Sequence, residues 1–498
     1  MSGALLIAGT TSDAGKSVVT AGICRWLARE GVRVAPFKAQ NMSLNSMVTR
    51  DGSEIGRAQA MQAAAAGVEP EAAMNPVLLK PGSDNSSQVV LLGKPVAEVN
   101  AMNYREIKPR LFETVLESLA DLRRRFDVVI CEGAGSPTEI NLRDRDIANM
   151  GLARAANLPV LVVGDIDRGG LFAALYGTVA LLDREDQALV NGFIVNKFRG
   201  DQNLLAPGLA MIERITGRGV LGVIPWRSGL NLDVEDSLDM KLGNTANDVA
   251  HVGGDSLRVA VIRLPRVSNM TDADALASEP GVSLRFADRP DDLLDADLVV
   301  IPGTRATVND LAWLHQRGLA EALRERVRKN RPTIGICGGF QMLASVIDDP
   351  YESGAGIVSG LDLLPVRVRF MSEKILALPE GRALGEYVRG YEIHHGVVDV
   401  EGGEPFLDGC RVGAVFGTTW HGIFENDGFR RAFLTEVAAM IGSGFKVASD
   451  TNFAQVRQSR LDLLGDLVAD HLDTSAIWRL IENGPTCGLP FISSGATP

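Results

Sequence analysis

Gly9-Thr-Thr-Ser-Asp-Ala-Gly15-Lys16-Ser17 decides how the first half of this chain folds. The apolar run Ala4–Ala8 precedes it, and a helical pattern from Val18 to Arg29 follows. Glycines let backbone N–H groups curl around phosphate oxygens, and the start of a helix adds partial positive charge. A lysine at the end of such a loop reaches the terminal phosphates, and the hydroxyl after it ligates Mg2+. The loop is one residue longer between its glycines than the standard form. Gly9, Thr10, Asp13, Ala14, Gly15, Lys16 and Ser17 are therefore the expected ATP-binding residues.

Outward from this loop, short apolar runs alternate with helical patterns. Arg33–Phe37, Asp127–Cys131, Pro159–Val163, Gly192–Val195 and Val220–Ile224 read as buried strands. That order predicts an α/β fold, a mostly parallel sheet with helices on both faces. Ligands bind at the carboxyl edge of such sheets. The strand ending at Cys131 delivers Glu132 there, ahead of Gly133-Ala-Gly135, as a Mg2+ ligand beside Ser17. Asp51 and Glu54 offer a second carboxylate, with Asp51 the preferred metal ligand. Lys38 ends another strand and suits a phosphate or a substrate carboxylate. Asn196 follows Gly192–Val195, where an amide suits the adenine edge. In Arg143-Asp-Arg-Asp146 alternating charge reads as a solvated loop, with a substrate role for Asp146 as the alternative. Cys131 reads as core, and the Ala-rich stretch 58–67 as an ordinary helix.

A polar stretch, residues 236–256, reads as a linker between a domain at 1–235 and one at 257–447. A helical extension, 448–498, follows. Two cores are natural for 498 residues. In the second series Arg258–Leu264, Asp297–Ile301, Thr333–Ile336 and Ala414–Gly417 read as strands. Its centre is Gly335-Ile-Cys337-Gly338-Gly339, a strand running through a cysteine into a helix, which is a nucleophile elbow with sulfur for oxygen. The helix start is expected to lower the thiol pKa. His421 is the expected base and Glu425 a carboxylate to orient it; His394 is a rival base. Backbone N–H groups at Gly338 and Gly303 are the expected oxyanion donors.

Composition narrows the class. Net charge is −12, against the basic footprint of a nucleic-acid-coating protein. The five cysteines form no C-x-x-C pair, which disfavours a cysteine zinc site. No run approaches the ~20 apolar residues of a membrane span, and the first residues lack a signal peptide's basic region. The expectation is a cytoplasmic protein without nucleic-acid or membrane partners.

The long phosphate loop and Glu132-Gly-Ala-Gly135 resemble the dethiobiotin synthetase-like branch of P-loop proteins, which implies activation of a carboxylate as a mixed anhydride with phosphate. Thr10 and Thr11 stand where partition ATPases carry a leading lysine. Residues 257–440, with Ile301-Pro-Gly-Thr304, the Cys337 elbow and His421, resemble the triad glutamine amidotransferases. That implies a flavodoxin-like domain and glutamine as nitrogen donor. Most of those proteins carry Glu two residues after the histidine; here that position is Ile423.

Together the halves resemble the cobyric acid synthase family. The resemblance runs through Phe37-Lys-Ala-Gln-Asn-Met-Ser-Leu-Asn45, Glu54-Ile-Gly-Arg-Ala-Gln59, Asn75-Pro-Val-Leu-Leu-Lys80, Arg145-Asp-Ile-Ala-Asn149 and Gly390-Tyr-Glu-Ile-His394. It implies ATP- and Mg2+-dependent amidation of the b, d, e and g side chains of a corrinoid, adenosylcobyrinic acid a,c-diamide, in cobalamin synthesis. The alternatives are the related a,c-diamide synthase, an amidotransferase acting on a cell-wall lipid intermediate, and a P-loop switch with a vestigial amidase domain.

Overall fold

The computed structural model describes residues 3–81, 87–99, 104–227 and 255–493. The expected linker, 236–256, lies outside these except for its last two residues. The chain forms two compact units. One holds the residues up to Ser43, those from Ser53 onward in the first half, and those from Gln458 to the end; the other holds Leu44–Gly52 and the second half up to Arg457.

The first unit is built on six parallel strands: β1 (Gly3–Gly9), β2 (Val34–Phe37), β3 (Val128–Glu132), β4 (Val160–Asp165), β5 (Val190–Phe198) and β6 (Gly219–Pro225). Their spatial order is β6-β5-β4-β1-β3-β2. β1 is buried almost throughout because both its neighbours and the helices on both faces cover it. Its register pairs Ile7 with Glu132 on one side and Gly9 with Val163 on the other. The phosphate loop and Glu132 thus emerge at one edge. The helix Lys16–Arg29 follows the loop and ends on a basic residue, which suits its carbonyl end. A four-stranded sheet, Gln40–Met42, Val77–Pro81, Ser87–Leu91 and Lys94–Val99, lies outside the expected pattern.

The second unit centres on β7 (Leu257–Ile262), β8 (Val282–Ala287), β9 (Leu298–Ile301), β10 (Thr333–Ile336), β11 (Glu404–Phe406), β12 (Gly409–Val412) and β13 (Val415–Thr418). The order β8-β7-β9-β10-β13-β12-β11 contains the flavodoxin-like parallel arrangement with an antiparallel hairpin added at one edge. Residues 346–400 build a further four-stranded sheet between β10 and β13.

Two stretches group differently from the division read in the sequence. Leu44–Gly52 joins the second unit: Ser46 N donates to Asn269 Oδ1 at 2.9 Å, Asn269 N donates to Asn45 Oδ1 at 2.8 Å, and Val48 packs on Tyr391 and Ile393. The residues beyond Gln458 are not an appendage. Leu461, Leu464, Leu467, Val468, Ile477 and Ile481 share one core with Leu5, Ile7, Val19, Ile23 and Leu27. Gly22 permits the approach, since a Cβ there would lie 2.7 Å from Val468 Cγ2 and 2.8 Å from the Leu464 carbonyl oxygen. Arg218, fully buried, donates to the Pro490 carbonyl, and Gln187 exchanges two hydrogen bonds with Ile492.

Leu464→Ala removes a side chain that is 1% exposed. It is expected to cost roughly 2–5 kcal/mol. Urea unfolding monitored through the edge-on Trp26–Trp478 pair, 6.3 Å between ring centroids, is the measurement.

Candidate active sites

In the first unit, the phosphate loop leaves β1 with Thr10 N bonded to the Val163 carbonyl at 2.9 Å. Gly15 adopts φ +96°, which favours glycine. The Lys16 ammonium is buried and donates to the carbonyls of Thr11, Ser12 and Gly135, each at 3.0 Å. At the tip, the Asp13 carboxylate pairs with Arg168 at 2.7 Å, and Lys197 joins the Asp13 carbonyl to Asp165 at 2.8 Å each. Ala14 is buried, and its carbonyl accepts from Asn196 Nδ2 at 3.0 Å.

That last bond changes the reading of Asn196. Its Oδ1 accepts from Lys197 N, and a Cβ on Gly15 would fall 2.1 Å from its Nδ2. Asn196 buttresses the loop, with one N–H of its amide on the Ala14 carbonyl and its oxygen on Lys197 N. Asp146 likewise has internal employment. Its carboxylate accepts from the backbone N–H of Ala148, Asn149 and Gly151 at 2.8–2.9 Å, capping the helix Met150–Ala156.

Glu132 is wholly buried and is the centre of this site. Its Oε1 accepts from Ser17 Oγ at 2.8 Å and Lys38 Nζ at 2.9 Å; its Oε2 accepts from Gln62 Nε2. Sequence reasoning missed Gln62 because it sits in the Ala-rich helix Arg57–Ala66. The available signal was a pair of glutamines three residues apart, Gln59 and Gln62, both wholly buried. Glu54 forms a buried ion pair with Lys80 at 2.5 Å. Asp51 belongs to the second unit, where Thr49 Oγ1 donates to it. The first unit's own oxygen set is therefore Ser17, Glu132 and Gln62.

In the second unit, β10 runs into Cys337 at φ 52°, ψ −112°, a conformation that only surrounding structure sustains. Cys337 N donates to the Thr418 carbonyl at 2.8 Å. The neighbouring glycines are sterically required. A Cβ at Gly339 would lie 2.0 Å from the Ile301 carbonyl oxygen, and one at Gly338 would lie 2.7 Å from Thr304 Cγ2 and 3.0 Å from Thr304 N. A Cβ at Gly303 would lie 2.5 Å from His421 Cε1. The turn Pro302–Thr304 thus touches both the elbow and the imidazole, which brings the two predicted reactive residues to one place.

Desolvation opposes the expected drop in thiol pKa. Burial pushes the Cys337 thiol up to about 12, against the lowering effect of the Gly338 N–H, and Glu352, Glu392 and Asp408 raise it further. The helix behind it spans only Gly338–Met342 and cannot offset that desolvation.

His421 is buried and its backbone exchanges hydrogen bonds with Tyr391 at 2.9 and 3.0 Å. The Tyr391 ring stacks on the imidazole, 5.2 Å between centroids. His394 lies on the strand Glu392–Val400 with Nε2 3.3 Å from Glu392 Oε1, and the same carboxylate oxygen accepts from Thr419 at 2.8 Å. Glu425 approaches Arg457 at 3.6 Å. The residue that sequence reasoning missed is Asp272, whose carboxylate accepts from Gly422 N at 2.8 Å and Phe424 N at 3.0 Å. Nothing in the sequence marks that contact, because it spans 150 residues.

Comparison with known proteins matches a family model to each half of the chain. Residues 5–238 match the CobQ/CobB/MinD/ParA nucleotide binding domain, and residues 258–429 match the CobB/CobQ-like glutamine amidotransferase domain. The chain is 66% identical over 500 residues to a cobyric acid synthase of Streptomyces avermitilis and 65% identical over 500 residues to one of Streptomyces coelicolor. Each alignment covers 100% of both chains. The chain belongs to the cobyric acid synthase family. As a member of that family it is a glutamine-hydrolysing amide ligase that uses ATP.

For a cobyric acid synthase family member, Mg2+ is the metal to test against the residues present. Mg2+ prefers oxygen ligands and takes few from protein, leaving room for phosphate and water. Ser17 Oγ and a Glu132 carboxylate oxygen 2.8 Å apart fit that preference. So does Gln62 Oε1, which is buried without a hydrogen-bond partner. Gln62→Leu is expected to raise the Mg2+ concentration for half-maximal ATP hydrolysis about 10–100-fold. A magnesium titration checks it. Gly303→Ala drives a methyl group into His421 and is expected to lower glutaminase kcat by about 100-fold or more, measured as glutamate release.

Proposed function

We propose that this protein amidates the b, d, e and g side-chain carboxylates of adenosylcobyrinic acid a,c-diamide, with glutamine as nitrogen source and ATP consumed as a substrate. One observation carries the reading: a phosphate loop backed by Glu132 and a cysteine elbow with His421 occur in one chain that matches cobyric acid synthases over its whole length.

The chemistry divides between the units. Cys337 gives its proton to His421, and its sulfur attacks the glutamine side-chain carbon. The backbone N–H of Gly338, with the Gly303–Thr304 turn, faces the developing oxyanion, where each donor is worth roughly 3–4 kcal/mol. His421 returns the proton to the departing nitrogen, ammonia leaves, and water hydrolyses the thioester to glutamate. At the other site an acceptor carboxylate takes the terminal phosphoryl group of ATP, and ADP departs. Ammonia then attacks the acyl carbon, and phosphate leaves an amide behind.

Ser17 and Glu132 would hold Mg2+, which when bound would supply charge neutralisation for the transferring phosphoryl group. Lys16 balances phosphate charge, Gly9–Gly15 offer backbone donors, and Lys38 steadies the acceptor carboxylate or the phosphoryl oxygens. Because the acceptor presents four different arms to one phosphate site, each partial amide must reorient before the next step. The free cysteines and the use of ATP support a cytoplasmic setting as part of this reading.

Cys337→Ser is expected to abolish glutamine-driven synthesis while leaving ammonia-driven synthesis within about threefold of wild type. Mass spectrometry of the acceptor counts each hydroxyl replaced by an amino group. Adenosylcobyrinic acid a,c-diamide should gain four amides, with one-, two- and three-amide species seen during turnover. Amidation of cobyrinic acid at a and c instead makes the protein a diamide synthase, and loss of ammonia-driven synthesis in the variant breaks the division of labour.

A further inference from the structure

We infer that Asp272 is the positioning carboxylate of the glutaminase site, holding the His421 loop from a distant helix. The inference rests on Cys337 and His421 as the glutaminase pair.

The loop that carries His421 lacks a carboxylate of its own at position 423. Triad amidotransferases place Glu two residues after the histidine, and here Ile423 occupies that place, wholly buried. Glu425 instead approaches Arg457. Asp272 lies at the start of the helix Thr271–Ala277 and is 3% exposed. Its two oxygens accept separately from Gly422 N, at 2.8 Å, and Phe424 N, at 3.0 Å. These two amides bracket Ile423, and the first follows His421 directly. A buried carboxylate that accepts two backbone N–H groups is strongly held, since such bonds are charge-assisted.

The same segment reaches the rest of the site. Ser268 N donates to the Gly303 carbonyl at 2.9 Å, and Thr271 Oγ1 lies 3.5 Å from the Tyr391 hydroxyl, whose ring covers the His421 imidazole. One five-residue stretch therefore touches the oxyanion turn, the ring stacked on the base, and the backbone behind the base. The carboxylate that position 423 lacks is supplied by Asp272, 150 residues before Gly422. It acts through the loop rather than on substrate, so its effect belongs in kcat.

Asp272→Asn keeps the shape but puts an amide N–H against a backbone N–H. It is expected to lower glutaminase kcat about 30–300-fold with KM for glutamine changed less than about threefold. Asp272→Glu keeps two acceptors on a longer arm and is expected to recover kcat to within about tenfold of wild type. Asp274→Asn, a loss of charge in the same first turn, is expected to stay within about threefold. The idea fails if the Asn variant stays within threefold of wild type, if KM moves instead of kcat, or if Asp274→Asn is equally harmful. It also fails if Asp272→Glu is no better than Asp272→Asn, the outcome of a purely structural role. If Asp272→Asn does not fold by near-UV circular dichroism, kcat of the folded Glu variant decides. A wild-type protein without any glutaminase activity would instead sink the reading of Cys337.

Discussion

A cysteine does not hold φ 52°, ψ −112° unaided, and the glutaminase unit is arranged to hold it there. Such a conformation costs on the order of 1–3 kcal/mol, and the repayment is local. Cys337 N bonds to β13, Gln341 N bonds back to the Cys337 carbonyl at 2.9 Å, and Gly339 lets the elbow press on the end of β9. Three neighbouring parallel strands, β9, β10 and β13, therefore meet at one backbone junction. Their order in the sheet is what places Thr304, Cys337 and Thr418 together, and His421 follows Thr418 by three residues.

The synthase unit solves a different problem, a wholly buried carboxylate. Removing a charge from water costs several kcal/mol unless it is paired and hydrogen-bonded. Glu132 is given a lysine, a serine hydroxyl and a glutamine amide. Those partners come from the strand-end at Lys38 and from two helices, so the carboxylate ties the phosphate-loop helix to the Ala-rich helix across the sheet edge. Small side chains make that possible: the Ala-rich helix is buried at nine of its ten positions, which larger residues would not allow.

How much of this is legible in the sequence depends on how local the cause is. The six strands of the first sheet are apolar runs, four of them with parallel neighbours on both sides, and all six read correctly. Val282–Ala287 escaped because an edge strand is half exposed and its pattern is mixed. The mixed sheet over 346–400 escaped because its longest strand alternates only over Val366–Phe370 and is then largely outside the core. Lys16, Ser17, Glu132 and Cys337 announce themselves through glycines required beside them. Gln62, Asp272 and Tyr391 do not, because each is defined by a partner far away in the chain. The grouping of Leu44–Gly52 and of the C-terminal helices with the opposite halves of the sequence follows from packing alone, which no local pattern encodes.

The buried thiol then explains why so much structure surrounds it. Burial holds the Cys337 thiol well above its usual range, so the neutral form is favoured at rest. A cysteine in that state does not react by waiting for spontaneous ionisation. On the proposed reading it reacts when a base, His421, is aligned to take its proton as the bond to carbon forms. Alignment, rather than acidity, is therefore the quantity this unit is built to control. The Tyr391 ring on one face of the imidazole, the bare Gly303 at its edge and the carboxylate behind its loop all fix orientation, and none of them lowers the thiol pKa. Dryness, which makes the thiol a poor acid, also strengthens each oxyanion hydrogen bond, so the same burial that silences the resting cysteine favours the charged state it must pass through.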